Sequence, residues 1–142
     1  MVSRIGGDIM KEMIYTDKNK RELLYNNIFL GFHYYILNLG THPTAYVEIP
    51  KSHKYFEKGY NDIDIDCHGG LTYSKESLKI SDNVILDNSW FIGWDYAHAG
   101  DYYGYDIKWK GTDLDSEDNK KWTLFEIIEE CKEVIKQLNE EE

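Results

Sequence analysis

The sequence predicts an α+β fold, an antiparallel sheet of short strands packed against a long C-terminal amphipathic helix. Three observations carry this. Short β-branched and aromatic runs, punctuated by Gly, Pro, Asn and Asp, occupy the middle of the chain. Near the C-terminus Leu124, Ile128, Cys131, Ile135 and Leu138 recur every three or four positions with Glu and Lys between them. The strands come first and the long helix last, the segregation that separates α+β from α/β proteins. With 142 residues the chain has room for one core. Residues 14–142 are read as a single domain and residues 1–13 as a disordered or non-native extension. Gly6-Gly7-Asp8 can be encoded by a bacterial ribosome-binding sequence just ahead of Met10, which makes Met10 or Met13 the expected native start.

Taken in order, Asp17–Asn27 is charged, with Leu23 and Leu24 its only paired aliphatics, and reads as a short helix or loop. Ile28–Leu39 reads as one strand. Gly40-Thr41-His42-Pro43 turns the chain into a second strand, Thr44–Ile49, which Pro50 stops, so a hairpin is expected. Lys51–Asp66 reads as an ordered loop carrying Tyr55, Phe56 and Tyr60. Leu71–Tyr73, Leu78–Ile80 and Val84–Leu86 are short strands, and Trp90–Trp94 is the clearest buried one. A further strand is expected at Tyr105–Trp109, then a polar, acidic connection over Thr112–Lys121. Thr123 with Glu126 matches a capping box, and Trp122 with Ile127 has hydrophobic-staple spacing. Together they open a helix of about four turns.

Composition removes several function classes. A formal net charge of −10 repels phosphate backbones, so no nucleic-acid polymer is expected as a partner. The acid is uneven: residues 110–142 carry eleven acidic side chains against five basic, leaving the body only mildly acidic. No apolar run approaches the roughly 18 residues of a membrane helix, and no signal-peptide pattern opens the chain, so no membrane partner is expected. Cys67 and Cys131 lack CxxC spacing and read as reduced thiols of a cytosolic protein. The chain has two arginines, Arg4 and Arg21, so a site for an anion must use Lys, His, backbone N–H groups or a metal. Twelve Tyr, four Trp and five Phe supply both core and stacking surfaces for a flat ligand.

Chemistry concentrates in two stretches. In Asp62–Ser74 an extended chain places Asp64 and Asp66 on one face. His68 then precedes Gly69-Gly70, a pair that permits positive φ and close backbone approach to an anion. Thr72 and Ser74 share one face of the next strand. In Trp90–Gly104 a buried strand ends at Asp95, with His98 and Asp101 following at steps of three and Trp94, Tyr96, Tyr102 and Tyr103 close by. Loops at the ends of buried strands are where a rigid scaffold aims polar groups. The two stretches are expected to fold against each other and line one cavity. Phosphate is expected at Gly69-Gly70 and neighbouring N–H groups, and sugar hydroxyls at Asp64, Asp66, Asp95 or Asp101. A stacked base is expected on rings of the Trp94 cluster, Tyr96, Tyr102 and Tyr103 above all, with His68 and Thr72 as further ligand contacts. His98 joins the ligand contacts. Tight turns and structural hydrogen bonds explain the same residues without a ligand. His68, Asp95, His98 and Asp101 also offer donor types suited to Zn²⁺ or Mn²⁺, but their spacing matches no metal signature. No metal and no cofactor is expected. His33 reads as a half-buried strand residue, His42 as a turn residue, and His53 introduces the aromatic loop.

On these residues the chain resembles a widespread group of small, uncharacterised bacteriophage and prophage proteins. The resemblance runs over about residues 30–139. It rests on Gly40 leading into YVEIP, His53, Gly59-Tyr60-Asn61-Asp62, DCHGGLTYS, WFIGWDYAHAGD and the closing Glu/Leu-rich helix, and it departs at Lys54, where the group often has proline. It implies a phage accessory, anti-defence protein in the cytoplasm of a bacterial host. Such a protein would sequester a small nucleotide-derived immune signal, such as a cyclic dinucleotide or cyclic ADP-ribose variant, with pockets built by a homo-oligomer. A phosphodiesterase is the alternative, with His68 and His98 as acid and base and Asp95 orienting one of them. A third reading is an inhibitor that presents its acidic helix and tail to a basic host protein.

Overall fold

The computed structural model is described for residues 21–39, 42–98, 101 and 120–141. These form strands β1 (Glu22–Phe29), β2 (Phe32–Asn38), β3 (Pro43–Glu48), β4 (Tyr73–Lys75), β5 (Leu78–Ser81), β6 (Val84–Leu86) and β7 (Phe91–Asp95), followed by helix α1 (Leu124–Glu140). The architecture is α+β: β1-β2-β3-β7-β4 make an antiparallel sheet, β5-β6 a separate ribbon, and α1 packs on the sheet.

β1 corrects the expectation of a helix or loop over Asp17–Asn27. Residues 22–27 are extended and continue to Phe29, which pairs with Phe32 of β2. The turn explains it. Leu30 and Gly31 both take positive φ, 50° and 85°. A two-residue hairpin of that kind has a twist that matches its strands, and Gly31 adopts it without penalty. The stretch Ile28–Leu39, expected as one strand, is therefore the end of β1, a turn and β2. The β2–β3 hairpin is present as anticipated, with Pro43 opposite Asn38 at its start.

Both faces of the sheet are covered. On one, Tyr34, Ile36, Val47, Ile92 and Trp94 pack with Ile127, Cys131, Ile135 and Leu138 of α1. On the other, Tyr35, Leu37, Tyr46 and Phe91 pack with Leu78 of the β5-β6 ribbon. Two-sided burial is why β2 and β7 read as continuous apolar runs rather than alternating ones. α1 begins where its sequence says it should: the Thr123 hydroxyl accepts from the Glu126 amide at 3.1 Å, and the Glu126 carboxylate accepts from the Thr123 amide at 2.9 Å. Such a cap contributes about 1 kcal/mol, whereas each fully buried side chain such as Ile127 or Ile135 contributes roughly 1.5–3 kcal/mol. Capping sets where the helix starts; packing holds it.

α1 also organises the loop before β4. Ile63 and Ile65 point into the core while Asp64 and Asp66 are exposed, the alternation read from the sequence. The Gln137 side chain donates to the Asp66 carbonyl and accepts from its amide, both at 2.8 Å. One helical step of seven residues away, the Glu130 carboxylate accepts from the His68 amide at 2.9 Å. Among the described residues no helix is long and apolar enough to cross a membrane. Residues 1–13 with the alternative starts, the strand at Tyr105–Trp109 and most of Thr112–Lys121 lie outside the described residues.

Candidate functional site

Two turns meet at the rim of the sheet. After Cys67 the chain reverses through Gly69 and Gly70, both at positive φ (70° and 83°), closed by the Gly70 amide donating to the Cys67 carbonyl at 3.0 Å. After β7 it bends at Asp95, whose Oδ1 accepts from the Ala97 amide at 3.2 Å, and the Asp101 amide donates to the His98 carbonyl at 2.8 Å. The two turns interlock. A single carbon added at Gly69 would fall inside the imidazole of His98, so glycine is required there by backbone conformation and by contact alike.

Asp101 is the hub, and only 2 % of its surface is exposed. Its Oδ2 accepts from His68 Nε2 at 2.7 Å and from the His98 amide at 3.0 Å, while Oδ1 accepts from the Trp122 indole at 2.8 Å. Three donors compensate the buried carboxylate. Because a carboxylate only accepts, His68 carries its proton on Nε2. The His68 ring stacks on Tyr96 at 4.8 Å and 7°, and meets the edge of Trp122 at 4.8 Å. The His98 ring stands 5.6 Å from it. His98 Nε2 lies 3.1 Å from Asp95 Oδ1, close enough for charge attraction, but it makes no hydrogen bond among the described residues. The other Asp95 oxygen accepts the Thr72 hydroxyl at 3.2 Å. The His68 and His98 side chains remain 24 % and 34 % exposed, while the His98 Nε2 atom itself is buried.

The expected residues thus divide. His68, Gly69, Thr72, Asp95, Tyr96, His98 and Asp101 come together, with Gly70 completing the turn. Among the described residues they meet through direct contacts. Trp94 and Tyr96 depart from the expectation of ligand-stacking rings: both are fully buried, and the Trp94 indole donates to the Tyr96 hydroxyl at 3.0 Å. Burial raises the Tyr96 phenol far above its ordinary value. Asp101 departs from a hydroxyl-binding role, since both its oxygens are engaged. No described contact joins the exposed Asp64 and Asp66 carboxylates to the cluster. Tyr102 and Tyr103 lie outside the described residues. Cys67 is free, and burial, reinforced by Glu130, pushes its thiol up to about 12, which leaves almost no thiolate at neutral pH.

Three contributors were not anticipated. Trp122, seen in the sequence only as a staple, also reaches Asp101. Glu130, placed beside the apolar stripe of α1, holds the His68 backbone. His42, read as a turn residue, sits within electrostatic reach of Asp95, His98 and Asp101. Burial lowers its proton affinity, and those two carboxylates partly oppose the shift. The remaining histidines serve elsewhere. His33 is exposed rather than half-buried, 3.4 Å from the Tyr35 hydroxyl. His53 is buried at the far end of α1, accepting from the Tyr55 amide at 3.0 Å and donating to the Leu138 carbonyl at 2.8 Å.

Among the described residues no three His, Cys, Asp or Glu side chains are placed to hold a metal ion together. No family model, curated protein or solved structure matches the chain.

Proposed function

We propose that the interlocked His68–His98 surface binds a small nucleotide-derived ligand through its phosphate, and that the chain is a phage accessory protein that withdraws an immune signal of this kind in the host cytoplasm. The observation that carries the reading is the meeting of two partly exposed imidazoles, each beside an aspartate, on a Gly-Gly turn. The backbone of a positive-φ turn supplies donors suited to phosphate oxygens, and His68, whose Nε2–H is spent on Asp101, donates a second N–H from Nδ1 when the ring is protonated. Thr72 and Asp95 stand beside them for a sugar hydroxyl. The sequence resemblance to phage proteins supplies the biological setting. A homo-oligomer, with a neighbouring copy closing over the exposed imidazole edges, belongs to the same reading.

The pairing of each histidine with a carboxylate favours a second reading, hydrolysis of a phosphodiester. In that case one neutral imidazole takes a proton from the attacking water as the P–O bond to it forms. The other, protonated, gives its proton to the departing oxygen as the second P–O bond breaks. Asp101 fixes the orientation of His68 in either case.

The test is incubation with cyclic dinucleotides and cyclic ADP-ribose variants, followed by repurification, heat denaturation and chromatography of what is released. Intact ligand is expected under sequestration and cleaved ligand under hydrolysis. If wild type and His98→Ala retain and alter nothing alike, both readings are wrong and the acidic helix becomes the surface to pursue with host proteins.

A further inference from the structure

We infer that Trp122 is a positioning residue for His68, acting through Asp101, and that it makes the presented nitrogen of that histidine depend on the seating of α1. The inference rests on the reading that His68 faces the ligand.

The reasoning starts from the buried carboxylate. Asp101 can rotate about its terminal bond, and a carboxylate has two equivalent oxygens. The Trp122 indole, a directional donor 2.8 Å from Oδ1, holds the carboxylate plane together with the His98 amide on Oδ2. With Oδ1 held, Oδ2 is left facing His68 Nε2 at 2.7 Å and the His98 amide at 3.0 Å. The imidazole is thereby kept with its proton on Nε2, and Nδ1, which makes no hydrogen bond among the described residues, is the ring nitrogen left for a ligand. The indole also meets both members of the His68–Tyr96 stack, at 4.8 Å and 62° to His68 and 5.0 Å and 58° to Tyr96.

Trp122 is itself tied to the start of α1. The Lys120 ammonium lies 4.2 Å from the Trp122 ring centroid and pairs with Glu126 at 2.7 Å. Glu126 is the residue that closes the capping box with Thr123. A continuous chain of contacts therefore runs from the helix cap through Lys120, Trp122 and Asp101 to His68. From the other side Glu130, two turns into the same helix, holds the His68 amide. The helix holds both the backbone and, through the indole, the ring.

The experiment reads the tautomer of His68 directly, by imidazole ¹⁵N chemical shifts in the full-length protein at a pH where the ring is neutral. Wild type is expected to show the Nε2–H form almost exclusively. Trp122→Phe keeps an aromatic ring and removes the indole donor, so the Nδ1–H form is expected to rise several-fold, with the amide signals of Thr123 and Glu126 unmoved. A His68 spectrum in Trp122→Phe identical to wild type overturns the proposal. Should the smaller ring leave the protein unfolded, benzothienylalanine at position 122, which keeps the bicyclic shape and replaces N–H by sulfur, decides on the same criterion. Because the readout needs no ligand, it can succeed while ligand retention fails, which would sink the proposed function and leave the positioning role intact.

Discussion

The two ends of α1 are each fastened by a histidine, and the two fastenings differ in kind. At the C-terminal end His53 is buried, and both of its nitrogens are consumed by backbone groups, one accepting from Tyr55 and one donating to Leu138. At the N-terminal end His68 commits one nitrogen to a carboxylate and leaves about a quarter of its side chain exposed. Both sit among aromatic rings, His53 beside Phe32 and Tyr55, His68 beside Tyr96 and Trp122. Surroundings therefore do not separate a structural histidine from a candidate functional one. The number of ring nitrogens already spent, and on what, does.

The sharpest way to break the contrast is Gly69→Ala. The new carbon would strike His98, and the positive φ adds strain, so we expect a loss of about 3 kcal/mol or more of stability together with loss of ligand retention. Gly70→Ala is the control. Its backbone is equally left-handed but nothing lies near the added carbon, and about 1 kcal/mol is expected. Equal urea midpoints for the two variants would show that the turns do not interlock. Next in size is His53→Ala, which strands the buried Tyr55 amide and takes from the Leu138 carbonyl one of its two donors, the Glu141 amide remaining. A loss of about 2–3 kcal/mol is expected, with ligand retention per folded molecule unchanged. Retention lost in proportion beyond the unfolded fraction would erase the distinction between the two ends. Thr123→Ala removes the cap and should cost about 1 kcal/mol, lowering the melting temperature by a few degrees.

The smallest effect is a pH slope. The folded state holds His42 below its ordinary value near 6.5, mainly by burial. The unfolded chain thus takes up a proton that the folded one refuses. The stabilisation is complete above about 6.5 and is lost as pH falls through that value toward the folded one. Urea midpoints measured on either side should fall toward acid, and His42→Gln should flatten the fall. An unchanged slope in that variant would place the proton elsewhere.

How much of this was legible in the sequence follows from the range of each interaction. The helix was legible because its cap and apolar stripe are local patterns. So was the inward–outward alternation of Ile63, Asp64, Ile65 and Asp66. The meeting of the His68 and His98 turns was anticipated from the density of polar residues beside glycines. β1 was not legible, because an edge strand is held by backbone pairing to β2 and its charged, Asn-rich side chains carry no clear alternation. The Leu30-Gly31 turn hid inside an apolar run, since leucine seldom marks a left-handed position. Trp122 donating to Asp101, and Glu130 accepting from His68, span 21 and 62 residues, and nothing in either neighbourhood announces the other. Trp94 and Tyr96 were misassigned for a related reason: an aromatic residue at a strand end looks the same whether it faces a ligand or the core.

One modest contact has a consequence over time. Gln137 treats the Asp66 peptide as a neighbouring strand would, one oxygen and one nitrogen each in register. Slow hydrolysis of that side-chain amide to a carboxylate would keep the acceptor and delete the donor, setting oxygen against oxygen across a gap now 2.8 Å wide. That single change would unzip the strand-like run beneath the histidine turn while leaving the hydrophobic interior in place.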